Sequence, residues 1–202
     1  MKKKKSKGRA HKRVQSKEHR VQRKAPVRCE EIFCAGFGGQ GIMFMGKLLA
    51  SAGLLAGRQV TWMPSYGAEV RGGTAYSMVK ISDAEIASPI VSDPTVLIVM
   101  NKPSLLKYES RVRDGGVIIS NRSLAGDPSR KKGAHLVNIP MTKIAHHIGD
   151  VRCANMIAIG ALTKRSKMIS LKHVLAALQA VLKDKDKALA RNKAALEKGY
   201  RW

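Results

Sequence analysis

The stretch that most limits what this chain can become is CAGFGGQGIMFMGKLLASAG, residues 34–53. It follows the short apolar run EEIFCAG and leads into a segment that is apolar nearly all round and stops at Gly57. A strand-length apolar run, a glycine turn and a buried helix with a glycine stop make the opening of a β–α unit. RQVTWM then reads as a second strand, and TAYSMVKIS, which alternates apolar and polar, as a half-exposed one. TVLIVMN and GVIIS are β-branched runs typical of central parallel strands, and HLVNIP is a further strand. Between the central strands, KPSLLKYESRVRDG reads as a helix with Pro103 in its first turn. After Pro140 only helical patterns remain. VRCANMIAIGALTK is apolar, and KDKALARNKAALEKGY closes the sequence. SLKHVLAALQAVLKD starts on a Ser170 cap and places Leu171, Val174, Leu175, Leu178, Val181 and Leu182 on one stripe. The expected fold is α/β: an open, mostly parallel sheet flanked by helices, with a helical C-terminal part.

The 202 residues suffice for one such domain with a real core. Aromatics are 4%, so aliphatic side chains and Met must fill it. No apolar run approaches the ~20 residues needed to cross a bilayer, and the basic N-terminus carries no apolar signal core. A cytoplasmic protein is expected. Cys29, Cys34 and Cys153 are odd in number and lack CxxC spacing, which excludes a disulfide framework and a cluster site within the chain. They are read as small structural hydrophobes.

Charge divides the chain unevenly. The formal net charge is +24, and residues 1–28 hold 13 Lys/Arg against one acid, Glu18. That leader has too few apolar residues to fold alone and is expected to be disordered. Three readings stand for it: a solvated tail, a nucleic-acid or anionic-surface arm, or a segment that is not translated. In the last case Val27 marks a start giving MRCEEIFCAGFGGQG. An arm would act by displacing counterions from phosphates, and it has no aromatic residue to stack on bases. The folded domain is expected over residues 29–202.

Gly36, Gly38 and Gly41 fit G-x-G-x-x-G in the right context, after a strand and opening a helix. Glycines there let backbone N–H groups approach a phosphate, so Gly36, Gly38, Gly39, Gln40 and Gly41 form a candidate phosphate- or partner-facing loop. The bland reading is a tight structural turn. A nicotinamide site also wants an acid about 20 residues on, at the end of the second strand. Here that place reads VTWMPSYG, without one. A phosphate-loop reading of Gly41 to Leu48 fails because Leu48 stands where Ser/Thr must bind magnesium, so Lys47 is expected on the helix surface. The second unusual passage is MPSYGAEVRGGTA. Glu69 and Arg71 share a side if the chain is extended, Gly72 and Gly73 permit close approach, and Tyr66 offers a ring with a hydroxyl. These five read as a subunit- or cofactor-facing loop, or as a salt bridge over a turn. His146, His147, Asp150 and Cys153 fall near helical spacing for a metal set. A polar helix surface is the preferred reading, since zinc needs a fixed cage.

Several motifs then coincide in order and spacing. They are GFGGQG at 36–41, PSYGxExRGGT at 64–74, ISD at 81–83, SP at 88–89 and MN at 100–101. CANMIAIGAL with Asn155 and ARNKAALEKGY with Asn192 follow. Together they resemble the gamma subunit of 2-oxoacid:ferredoxin oxidoreductases over about residues 28–202, and MPSYGAEVRGGTA and NKPSLLKYE are most similar to 2-oxoglutarate-type members. The basic leader is a departure. The resemblance implies a Rossmann-like domain in a complex that oxidatively decarboxylates a 2-oxoacid, forms an acyl-CoA and reduces ferredoxin. Thiamine diphosphate, Mg, iron–sulfur clusters and CoA would reside on alpha, beta and ferredoxin-like delta subunits. This chain would be scaffold and interface, bind no cofactor of its own and contribute no catalytic residue. The alternatives are a free-standing dinucleotide-binding oxidoreductase and a nucleic-acid-binding protein acting through residues 1–28.

Overall fold

The computed structural model describes residues 27–66, 74–126 and 131–202. Six strands form one sheet: β1 (Cys29–Phe37), β2 (Gln59–Tyr66), β3 (Thr74–Ser82), β4 (Val96–Val99), β5 (Val117–Asn121) and β6 (His135–Ile139). Their spatial order is β2-β3-β1-β4-β5-β6. β4 pairs parallel with β1, β5 with β4 and β6 with β5, whereas β3 lies antiparallel between β1 and β2. Helix α1 (Ile42–Leu55) therefore carries the chain from β1 across two strand positions to β2, and β3 turns back into the gap.

That insertion changes the expectation for β3. Its alternation of Thr, Tyr, Ser and Lys suggests one wet face, yet Ala75, Ser77, Met78, Val79, Ile81 and Ser82 are buried. A strand with neighbours on both sides and helices over both faces has no wet face, so its polar members must find partners. Ser77 Oγ accepts from Trp62 Nε1 at 2.8 Å. Lys80 lies directly across from Glu31 and meets its carboxylate at 2.8 Å. The edge falls instead to β2, which tolerates Pro64 because an edge position need not donate to the ladder.

The remaining helices are α2 (Lys102–Tyr108), α3 (Arg122–Ala125), α4 (Met141–Ile148), α5 (Ala154–Arg165), α6 (Leu171–Val181) and α7 (Asp186–Arg201). One sheet face packs on α1, α4, α5, α6 and α7 through Ile32, Cys34, Leu48, Ile98, Ile157 and Leu178, all buried. The other face is thinner and packs on α2 and α3. There Phe33 stacks on Tyr76 at 5.3 Å and lies 4.7 Å from Tyr108, with the Arg111 guanidinium 5.0 Å from the Phe33 ring. Three of the chain's few aromatics thus gather on the face that has less helix to cover it. Cys34 and Cys153 are buried and free, as small hydrophobes would be, and burial pushes the Cys34 thiol up to about 12. Cys29 is exposed. Ser170 caps α6 as expected, with His173 returning the bond from the third position. None of the helices among the described residues is long and apolar enough to cross a membrane.

Candidate functional site

The chain leaves β1 toward β2 on one side and β4 starts on the other, so the carboxyl ends of β1 and β4 diverge. Open α/β sheets form their ligand crevice at such a point. The loop 36–41 and Met100–Asn101 border it here, and a cleft of about 200 Å³ opens between them and α4.

Gln40 is the organiser of the loop. Its Oε1 accepts from Phe37 N at 2.8 Å and from Asn101 Nδ2 at 3.0 Å, and its Nε2 donates to Met100 O at 3.4 Å. The Met100 carbonyl also accepts from Asn121 Nδ2 at 3.4 Å, which reaches Thr142 Oγ1 at 2.9 Å. One amide network therefore ties together the loops after β1, β4 and β5. Gly36 is buried against Gln40 and Ile42, where a Cβ would stand 2.6 Å from Gln40 Oε1. Gly38 and Gly39 are exposed at the tip. Gly41 starts α1 in the left-handed region, at φ 73°, with its missing Cβ facing the carboxamide of Asn155.

Two features leave unused hydrogen-bonding capacity. Helix α1 has neither a side-chain cap nor an acid in its first turn, so its leading N–H groups keep their partial positive charge. Asn155 is 5% exposed, its Nδ2 lies 3.5 Å from Gly41 O, and its Oδ1 has no partner. The cleft wall adds Arg152, with Leu124 and Val151 as apolar rim. None of the lining side chains is a carboxylate, imidazole or thiol. The polar lining is made of amides, a hydroxyl and a guanidinium, groups able to hydrogen-bond an anionic or carbonyl edge.

Arg152 is held by Asp150, which accepts from its Nε at 2.9 Å and its Nη2 at 2.8 Å, while Arg191 of α7 stands 3.6 Å away. The hydrogen bond from Arg152 holds the Asp150 carboxyl down at about 2. A carboxyl depressed in the native state binds fewer protons there than when unfolded. It stabilises above about pH 4, and that contribution fades as pH falls toward 2. Because Arg152 is largely exposed, the effect should be only about 1 kcal/mol. Asp150→Asn should flatten the stability loss between those two pH values, measured as the urea midpoint. An unchanged slope would remove the ion pair from the account.

The sequence-predicted residues divide into three groups. Of the loop residues Gly36, Gly38, Gly39, Gln40 and Gly41, Gly39 and Gln40 line the cleft, while Gly36 is buried behind them and Gly38 and Gly41 are off its wall. Tyr66 ends β2, 70% exposed and off the cleft wall, while Glu69, Arg71, Gly72 and Gly73 lie outside the described residues. His146 and His147 are exposed on α4, with His147 Nδ1 2.7 Å from Lys143 O, and Asp150 serves Arg152. No three His, Cys, Asp or Glu side chains converge among the described residues. Lys47 is on the helix surface, as expected. Asn101, Asn121, Thr142 and Arg152 went unmarked as site residues, although an Asn directly after each of two β-branched runs, VLIVMN and VIISN, was a usable signal. The antiparallel β3 also disfavours a dinucleotide. The strand beside β1 presents Thr74 at the loop end, where a ribose would need a carboxylate.

Residues 31–202 match the pyruvate ferredoxin/flavodoxin oxidoreductase family. The chain belongs to that family. It is 34% identical to 2-oxoglutarate synthase subunit KorC of Methanocaldococcus jannaschii over 175 residues, covering 85% of this chain and 92% of KorC. It is 36% identical to ketoisovalerate oxidoreductase subunit VorA of Methanothermobacter marburgensis over 169 residues, covering 83% of this chain. The chain spans only 35% of that VorA subunit's length. The keto/oxoacid ferredoxin oxidoreductase gamma subunit of Geobacter sulfurreducens PCA has the same fold, with a TM-score of 0.73 and 25% identity over 85% of this chain and 96% of that one. The α/β architecture and the gamma-type resemblance read from the sequence are thus both borne out.

Proposed function

We propose that this chain is the gamma subunit of a cytoplasmic 2-oxoacid:ferredoxin oxidoreductase, with 2-oxoglutarate as the substrate of the assembled complex. The complex oxidatively decarboxylates the 2-oxoacid, forms an acyl-CoA and passes the electrons to ferredoxin. The observation that carries this reading is the correspondence with KorC along 92% of that subunit's length. The name of that relative favours 2-oxoglutarate, and VorA supplies the competing branched-chain reading. Thiamine diphosphate, Mg, iron–sulfur clusters and CoA sit on alpha, beta and delta partners, and this chain supplies positioning. The donor set of the cleft fits that role. The uncapped start of α1, Gln40 and Arg152 suit an anionic edge of a partner or of a cofactor held by one. Tyr66, Glu69, Arg71, Gly72 and Gly73 form the second partner-facing element.

Purified alone, the full chain should not turn over 2-oxoglutarate in the presence of CoA and ferredoxin. Co-expressed with alpha, beta and delta chains, it should enter an active complex. Turnover by the single chain, or an equally active complex lacking it, overturns the assignment.

A further inference from the structure

At the amino ends of the central strands, opposite the crevice, a second cavity of about 220 Å³ lies between the sheet and the last turn of α5. Its floor is apolar. Val96 opens β4, Val117 and Ile119 belong to β5, and Leu162 comes from α5. Val117 sits on an inner strand and is still only partly buried, because the cavity opens over it. Two cations stand on the wall, Arg165 at the end of α5 and Lys167 just beyond it, both exposed. Arg165 Nη1 donates to Ala161 O at 2.9 Å, and its Nε and Nη2 have no partner among the described residues. Lys167 Nζ likewise forms no ion pair among the described residues.

The other polar side chains of the wall are committed. Glu30 of β1 accepts from Ser166 Oγ at 2.7 Å and from Lys167 N at 2.8 Å, and so fastens the turn that carries the cations. Ser166 Oγ also accepts from the amides of Met168 and Ile169, each at 3.1 Å. Thr95 Oγ1 is closed in two bonds with the backbone of Glu31, at 2.8 and 3.1 Å.

We propose that this cavity binds a small monocarboxylate with an aliphatic tail, its carboxylate on Arg165 and Lys167 and its tail on the floor. Charge-assisted donors at the mouth hold the head, and the floor takes the tail out of water. An apolar hollow of about 150 Å³ holds a benzene ring, so about 220 Å³ takes about nine heavy atoms, a carboxylate with a tail of about five or six carbons. Two cations and the carboxylate of Glu30 leave the wall one net positive charge, which suits a monoanion. The second carboxylate of a dicarboxylic acid would fall on Val96, Ile119 and Leu162, whose side chains cannot hydrogen-bond it. A cation at a helix C-terminus favours the dipole, which accounts for Arg165 but not for an open hollow above an inner strand. The inference is independent of the gamma-subunit reading.

The test is an amide-resolved NMR titration of the full chain with propanoate, butanoate, pentanoate, hexanoate and decanoate, and with succinate. Affinity should rise about fourfold for each carbon up to hexanoate, as burial of one CH₂ requires. It should level off before decanoate, whose tail outruns the cavity. The shifts should centre on the amides of Val117, Ser166 and Lys167. Changing Arg165→Gln and Lys167→Gln together should weaken hexanoate about tenfold or more, the loss of a charge-assisted bond. Val117→Phe should fill the hollow and remove the dependence on tail length, with circular dichroism confirming that each variant folds. Succinate should bind about tenfold more weakly than hexanoate or worse. Absence of saturable hexanoate binding, one affinity for every tail length, shifts confined to other residues, succinate binding as tightly as hexanoate, or unchanged affinity in the double variant overturns the proposal.

Discussion

Gly199→Ala should cost about 3 kcal/mol or more, enough to threaten the fold of a marginally stable domain. Helices α5 and α7 meet backbone to backbone. A Cβ on Gly199 would strike the carbonyl oxygen of Ile157, and one on Gly160 the carbonyl oxygen of Leu196. Neither obstacle can rotate away, because both are main-chain atoms within helices and the flanking Ile157, Ala195 and Leu196 are buried. The helices would have to separate, opening the core where α5 lies on the sheet. Urea denaturation should show the loss, with Gly160→Ala matching it. Ala194→Ser, on the exposed face of α7, should stay within about 0.5 kcal/mol of the parent. A loss below about 1 kcal/mol for Gly199→Ala would mean that the two helices can separate at little cost.

The second large effect belongs to the crevice. Gly39 and Gly41 both have left-handed backbone, at φ 94° and 73°, so an alanine at either meets the same steric penalty of about 1–2 kcal/mol. Their surroundings differ. A Cβ at Gly39 meets open space, whereas at Gly41 it collides with Nδ2 of the buried Asn155. Gly41→Ala should therefore destabilise by about 2 kcal/mol beyond Gly39→Ala, and should lower the activity of the assembled complex at least tenfold by displacing the loop. Measuring both alanines in the same complex isolates the Asn155 contact. Equal costs would show that Asn155 yields and that it does not fix the loop.

Much of this was legible in the residues, and the exceptions share a cause. β4 and β5 are short β-branched runs and β1 centres on the short apolar run Ile32–Ala35, and their burial shows directly in composition. The loop 36–41 announced itself through its glycines and its place between strand and helix. The alternation in β3 suggests one face in solvent, whereas Lys80 on that face is satisfied inside the structure by Glu31, and Ser77 on the apolar face by Trp62. Periodicity reports polarity and not whether a polar group has found a partner. The amide network was missed for a related reason. Gln40, Asn101, Asn121 and Thr142 are distant in sequence and meet only because three parallel strands end at one level. The guanidinium at the cleft could not be picked out among 38 Lys/Arg without the fold.

Helix α1 rests on the sheet through Gly46, whose absent side chain leaves room for Ser77 and Trp62, and through Gly53, which abuts Val60 and Ile81. Those contacts seat it on β2 and β3 while its first residue closes the crevice loop. Displacing the β2–β3 hairpin would thus tilt α1 as a lever and carry Gly41 with it. Amide hydrogen exchange should register the hairpin and the start of α1 opening as one cooperative unit, so that a subunit grasping the outer strand could set the position of the loop without touching it.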